Sequence, residues 1–273
     1  MYGIVACDFR RDDLIARKSW FFFDDEYVCL GAGIRNGTPY PVYTTVNQCH
    51  LKSTVEINSD GDITKLNRGA RVITCPGWVH QDSILYVFPE KCDVNVRADV
   101  QEGSWYSINH ALSRDTLDSD VFSLWFDHGV GPADASYAYI VRPGVSSGEA
   151  ASYCELLPVR IVANDPTIQA VWHETLKTGG AAFYEPGEVA YPGGLVCSVD
   201  IPCIILLRET SGELEISVAN PMNRAATVTV GIDRVCTGTG VAAGRRSGWS
   251  QVAIELPGGL DAGSTVTRTV ALR

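Results

Sequence analysis

Short apolar runs alternating with polar positions recur along this chain, with turn residues between them. Met1 to Cys7 already reads as a strand. Leu14 to Asp24 and Glu26 to Ile34 read as a hairpin joined through Asp24-Asp25-Glu26, a turn expected to be solvated. Trp20 to Phe23 is a run of four aromatics without alternation, which predicts a strand covered on both faces. Phe21 to Phe23 are therefore expected to be buried, since three exposed rings would invite aggregation.

Turn clusters follow at Asn36-Gly37-Thr38-Pro39 and at Asn58-Ser59-Asp60-Gly61-Asp62. Strands are predicted at 42–49, 72–75, 78–80, 84–88, 94–100, 104–108, 121–127 and 137–141. A short helix is expected over 148–157, with Ala150, Ala151, Cys154 and Leu157 on one face. After Pro158 the residues become smaller and aromatics fewer. A second strand set is predicted at 160–163, 168–175, 180–184, 195–199, 203–207, 214–219, 226–232, 251–256 and 265–272. The pattern is all-β and antiparallel, with helix below about 15%, and it places a domain boundary near 157–165. Residues 1–157 form one β-sandwich domain or part of one, and residues 158–273 a smaller antiparallel sandwich.

Composition narrows the function classes. The 273 residues are 45% hydrophobic and 20% charged, which suits an ordered globular chain. The net charge of −10 argues against general nucleic-acid binding, because phosphates would be repelled. An acidic sugar would need a local basic patch that the total charge does not reveal. No segment approaches the roughly 20 apolar residues of a membrane-spanning helix, and no basic-then-apolar leader opens the chain. The nine cysteines include no C-x-x-C pair, so no zinc or iron–sulfur site is expected. Cys29, Cys154, Cys197 and Cys203 sit in apolar runs and read as buried small hydrophobes. In an exported protein some thiols could pair, and the spacing selects no pairing. Asp24-Asp25-Glu26 lacks the calcium-loop pattern, and neither metal nor cofactor is implied.

The stretch from Lys18 to Ile34 (KSWFFFDDEYVCLGAGI) also resembles a block of polysaccharide lyase family 8, the hyaluronate, chondroitin AC and xanthan lyases. Thr44-Thr45-Val46-Asn47-Gln48, then Trp78-Val79-His80-Gln81-Asp82 with Tyr86-Val87-Phe88-Pro89, resemble the strands that follow in that family. Phe126-Asp127-His128-Gly129, the run from Tyr137 to Gly144, and the run from Asn164 to Val171 continue the resemblance in family order. It implies the later part of a central β-sandwich, or super-sandwich, domain followed by the small C-terminal sandwich. The family's α/α toroid supplies an Asn, a His, a Tyr and an Arg for β-elimination, with a Glu from early in the central domain. No position here matches any of them, so the resemblance implies a non-catalytic part of a lyase acting on uronic-acid-containing polysaccharide. It further implies a parent working in an extracellular or periplasmic setting. A sheet edge normally covered in the parent would be open here, which predicts self-association. A stand-alone carbohydrate-binding or scaffold module is the alternative.

Candidate sugar contacts are Arg35, Asn36, Asn47, Gln48 and Trp249. Amides can donate to and accept from hydroxyls, and an arginine can pair with a carboxylate. Trp249 follows a glycine-rich, basic loop and is expected to be partly exposed. The plainer readings are a turn at Asn36-Gly37 and strand-end amides that satisfy backbone groups. His128 beside Asp127 suggests a base, but no acid or carboxylate-binding cation accompanies it in sequence. It reads as a strand-end histidine, as do His50 and His80.

Overall fold

The computed structural model of the protein describes residues 2–273. Strands hold 61% of the residues and helix 6%, so the chain is all-β as the alternation predicted. Two compact units form. One contains the residues up to Arg35, Ala133–Ser136 and Leu157–Arg273, and the other contains Asn36–Pro132 and Tyr137–Leu156. The opening strands thus group in space with the C-terminal part of the chain, across more than a hundred intervening residues.

The first unit opens with a three-stranded antiparallel ribbon: β1 (Gly3–Arg11), β2 (Leu14–Phe22) and β3 (Tyr27–Asn36). The aromatic run departs from the sequence expectation. Phe21 and Phe23 are 1% and 8% exposed, but Phe22 is 39% exposed and rests against Tyr27 at 5.7 Å between ring centroids. The pleat sends Phe22 and Trp20 to the opposite face, and Lys18 covers the Trp20 ring there at 5.3 Å. One face is buried and the other only partly covered. The acidic turn also differs from expectation. Glu26 is 4% exposed and bonded to a histidine, whereas Asp24 and Asp25 are exposed.

The second unit is a sandwich of two antiparallel sheets. Its strands are β4 (Pro41–His50), β5 (Val55–Ser59), β6 (Asp62–Leu66), β7 (Gly69–Thr74), β8 (Pro76–Gln81), β9 (Ile84–Val87), β10 (Asp93–Gly103), β11 (Leu117–Val130) and β12 (Ala135–Pro143). One sheet runs β4-β11-β10-β7, and the other contains β12-β9-β8-β5-β6. Val94, Val96, Phe122 and Leu124 from the first sheet are fully buried, and Tyr86 of the second packs on Phe122 at 6.0 Å. The turn at Asp60-Gly61 joins β5 to β6 with φ values of 52° and 90°, a left-handed pair suited to a tight hairpin. Residues 104–108 are not a strand. Trp105–Ser107 is a single 3₁₀ turn, closed by a Ser107 Oγ bond to the Ser104 carbonyl. Helix α1 (Ser147–Glu155) lies where expected and starts with a Ser146–Glu149 capping box. Its apolar face is narrower than predicted, because Ala150 is buried while Ala151 is exposed and Cys154 half-buried.

The C-terminal strands of the first unit are twelve, against nine expected. They are β13 (Val159–Asn164), β14 (Ile168–His173), β15 (Thr178–Phe183), β16 (Gly187–Ala190), β17 (Val196–Val199), β18 (Cys203–Thr210), β19 (Glu213–Ala219), β20 (Ala226–Ile232), β21 (Cys236–Thr237), β22 (Val241–Ala243), β23 (Ser250–Leu256) and β24 (Val266–Leu272). They make a seven-stranded sheet, β13-β14-β15-β18-β19-β24-β21, and a five-stranded one, β16-β17-β20-β23-β22. Alternate residues fill the space between them: Ile205, Leu207, Leu214 and Ile216 from one sheet, Val228, Val230, Val252 and Ile254 from the other. The opening ribbon packs on this unit at β15. A Cβ at Gly180 would lie 2.8 Å from Ile4 and 2.9 Å from Phe21, so only glycine admits these side chains there. Tyr184 donates to the Lys18 carbonyl at 2.8 Å, and Gln169 to the Arg17 carbonyl at 3.3 Å.

Candidate functional site

The amides singled out in the sequence have different fates. Asn36 shapes the β3–β4 connection. Its Oδ1 accepts from the Thr38 amide at 3.2 Å, and its Nδ2 donates to Thr38 Oγ1 at 2.8 Å and to the Tyr40 carbonyl at 3.1 Å. This is the turn role, and it engages both ends of the amide. Asn47 donates to the Tyr86 hydroxyl and to Cys49 Sγ, so it faces the buried Tyr86. Arg35 is exposed, and among the described residues it has no hydrogen bond or ion pair. Gln48 is exposed on β4 and bonds Gln101 at 3.4 Å.

Gln48 lies on the outer face of the β4-β11-β10-β7 sheet, and strand register decides its neighbours. Along β11, Phe122, Leu124 and Phe126 point into the core, so Ser123, Trp125 and Asp127 point outward. Three rows result. Gln48 stands opposite Ser123, and Ser123 opposite Arg97. Thr45 stands opposite Trp125, and Trp125 opposite Asn95. Tyr43 stands opposite Asp127. A register shift on β4 between the partners of Leu124 and Trp125 puts Asn47 and Gln48 on opposite faces from those a regular ladder would give. Together the outward residues line a groove of about 350 Å³.

Trp249 belongs to a different groove, of about 410 Å³, lined also by Glu188, Ser198, Arg245, Arg246 and Gln251. The Arg246 guanidinium lies 4.6 Å above the indole and bonds Glu188 at 2.6 Å. At Gly231 a Cβ would collide with Ser198 Oγ while only touching the Trp249 ring. Trp249 is half-buried, and one ring face already carries an arginine.

His128 has the surroundings of a structural histidine. Its Nε2 is 2.9 Å from Thr44 Oγ1, and its ring stacks near Phe126 at 6.4 Å and Tyr137 at 6.3 Å. Burial lowers its pKa below the usual 6.5, with Asp127 opposing weakly. His80 bonds the Val145 carbonyl at 2.8 Å and His50 bonds Ser119 at 2.9 Å.

Comparison with known proteins settles the lineage. Residues 1–154 match the family model for polysaccharide lyase family 8, super-sandwich domain, and residues 160–229 match the family's C-terminal beta-sandwich domain. The chain belongs to polysaccharide lyase family 8. It is 36% identical over 242 residues to chondroitinase-AC of Pedobacter heparinus, covering 87% of this chain and 34% of that protein. It is 37% identical over 222 residues to hyaluronate lyase of Thermasporomyces composti, covering 80% of this chain and 28% of that protein. A solved chondroitinase AC lyase, studied in complex with oligosaccharides, superposes with a TM-score of 0.87 at 34% identity, covering 98% of this chain and 38% of that one. The chain thus spans about a third of the length of the curated relatives it matches.

In this family 8 chain, sequence reasoning missed Tyr43, Arg97, Ser123 and Trp125. A signal existed: strict period-2 reading of Val121 to Asp127 places Ser123, Trp125 and Asp127 on one face. Nothing in the string announces that Arg97 and Gln48 flank Ser123, because that needs the β10–β11–β4 register.

Proposed function

We propose that this chain is the non-catalytic β-domain portion of a secreted lyase that cleaves uronic-acid-containing polysaccharide of the hyaluronan, chondroitin or xanthan type by β-elimination. In that reaction a base takes the proton α to the uronate carboxylate. The carbon–oxygen bond at C4 breaks, and the leaving oxygen receives a proton. The toroid that carries this machinery lies outside the 273 residues, and polysaccharide reaches the enzyme chiefly through it. Residues 1–157 serve as the later part of the super-sandwich domain and residues 158–273 as the small C-terminal domain.

The observation that carries the reading is the ordered match to both family domains, at 36% identity to a chondroitinase-AC, combined with the surroundings of His128. Its ring contacts are two aromatics and a threonine, and the charged group acting on it is the Asp127 carboxylate, which cannot neutralise a uronate. The test is the ultraviolet absorbance of the unsaturated uronate product. The purified chain is expected to generate none from hyaluronan, chondroitin or xanthan. Product formation that disappears in His128→Ala would overturn the reading.

A stand-alone carbohydrate-binding module is the second reading. It is favoured by the Trp249 groove, where Arg245 is exposed and has no partner among the described residues. An open sheet edge would lead the isolated chain to self-associate, which sedimentation at increasing concentration would detect.

A further inference from the structure

The outer face of the β4-β11-β10-β7 sheet combines features that separate rows of side chains would not need on their own. Ser123 sits at the floor of the groove, 8% exposed, and its Oγ has no hydrogen-bond partner. A buried hydroxyl left unpaired is destabilising, and such groups in folded proteins call for a partner. Beside it Arg97 is half-buried and has no ion pair or hydrogen bond among the described residues. Of the outward carboxylates on this face, Asp99 accepts from the Val100 amide at 2.9 Å and Asp127 from the Gly129 amide at 2.8 Å, and neither forms an ion pair with Arg97. In a chain of net charge −10, this guanidinium without an ion-pair partner, beside an orphan hydroxyl, is a place that can hold an anion.

Two aromatic rings complete the groove. Tyr43 is 54% exposed, and Trp125, half-buried, is its diagonal neighbour on the adjacent strand. Amides line the remainder, from Gln48, Asn95 and Gln101. A dry protein surface laid on this face would strand Arg97 and three amides without water. A sugar ring matches both features, since its apolar face stacks on aromatics while its hydroxyls exchange hydrogen bonds with amides.

We propose that this groove is a binding site for an acidic glycan, separate from the cleavage reaction. Tyr43 and Trp125 carry the sugar rings. Arg97 pairs with an oxyanion, and Ser123, Gln48 and Gln101 bond the neighbouring hydroxyls. Asp127 fixes the orientation. It repels the anionic group from the Tyr43 end and directs it to the row formed by Gln48, Ser123 and Arg97.

The test is isothermal titration of the whole chain with a hyaluronan hexasaccharide, a chondroitin sulfate hexasaccharide and neutral maltohexaose. Both acidic probes are expected to bind more tightly than maltohexaose, and added salt should weaken them. Arg97→Gln should weaken acidic binding about tenfold, the scale of one charge-assisted contact. Tyr43→Ala, at an exposed position, should weaken all binding while leaving the melting temperature near wild type. Binding of hyaluronan assigns the oxyanion to the carboxylate, and binding of the sulfated probe alone assigns it to sulfate. Failure of both acidic probes to bind overturns the proposal. So does an Arg97→Gln variant that folds and binds as wild type. This readout is independent of β-elimination, so neither result decides the other.

Discussion

Glu26 and His173 are joined by a 2.7 Å bond between Oε1 and Nε2, although 147 residues separate them in the chain. Their side chains are 3% and 6% exposed. The Leu176 amide donates to His173 Nδ1 at 3.2 Å, so Nε2 carries the proton that Glu26 accepts. The Phe23 ring lies 4.9 Å from the imidazole and closes the site. The β2–β3 turn is thereby tied to the end of β14.

Removing one partner leaves the other buried with a lost bond. His173→Ala should lower stability by about 3 kcal/mol, the scale for leaving a buried carboxylate without its hydrogen-bond donor. Glu26→Gln keeps an acceptor and should lower it less. Thermal unfolding of both variants and of the double variant checks this. Strictly additive effects would mean that the pair is not coupled.

The two neighbouring phenylalanines should separate by face. Phe21→Ala removes a fully buried ring packed toward Gly180 and should cost about 3–5 kcal/mol. Phe22→Ala removes a ring that is 39% exposed. It should change stability by about 1 kcal/mol or less. Equal losses on chemical denaturation would contradict the observed pleat.

His128 gives stability a defined pH dependence. Its folded-state pKa lies below 6.5 because burial disfavours the charged ring. Between that depressed value and 6.5 the unfolded chain binds the proton more readily than the folded one, so stability rises with pH across the window. Wild type should therefore lose stability as pH drops below 6.5, and His128→Gln should lose less over the same interval. Melting temperatures from pH 7.5 to 5 would show it, and parallel curves would exclude a contribution from this residue.

The buried thiols should resist modification. All nine cysteines are free, and Cys29, Cys197 and Cys203 are at most 1% exposed. Burial pushes the Cys203 thiol up to about 12 and raises that of Cys197 as well. Neither forms the reactive thiolate near neutral pH. Iodoacetamide followed by peptide mass mapping should label these three only after denaturant is added. Labelling of Cys197 or Cys203 in the native protein would show that the C-terminal core opens readily.

The string of residues by itself determined the strand content, the tight turns such as Asp60-Gly61, the short helix and the family. Those features are local: side-chain alternation has a period of two, turn residues act through their own φ angles, and family blocks occur in linear order. Tertiary structure decided which face of each strand matters. It exposed Phe22, buried Glu26 against His173, tied Asn36 and Asn47 to neighbouring groups, and turned Trp125 outward beside Tyr43. Each outcome depends on register, on a bulge in β4, or on a partner strand far away in sequence. A shift of a single residue moves every side chain of a strand to its other face, and the composition of the strand does not record that shift.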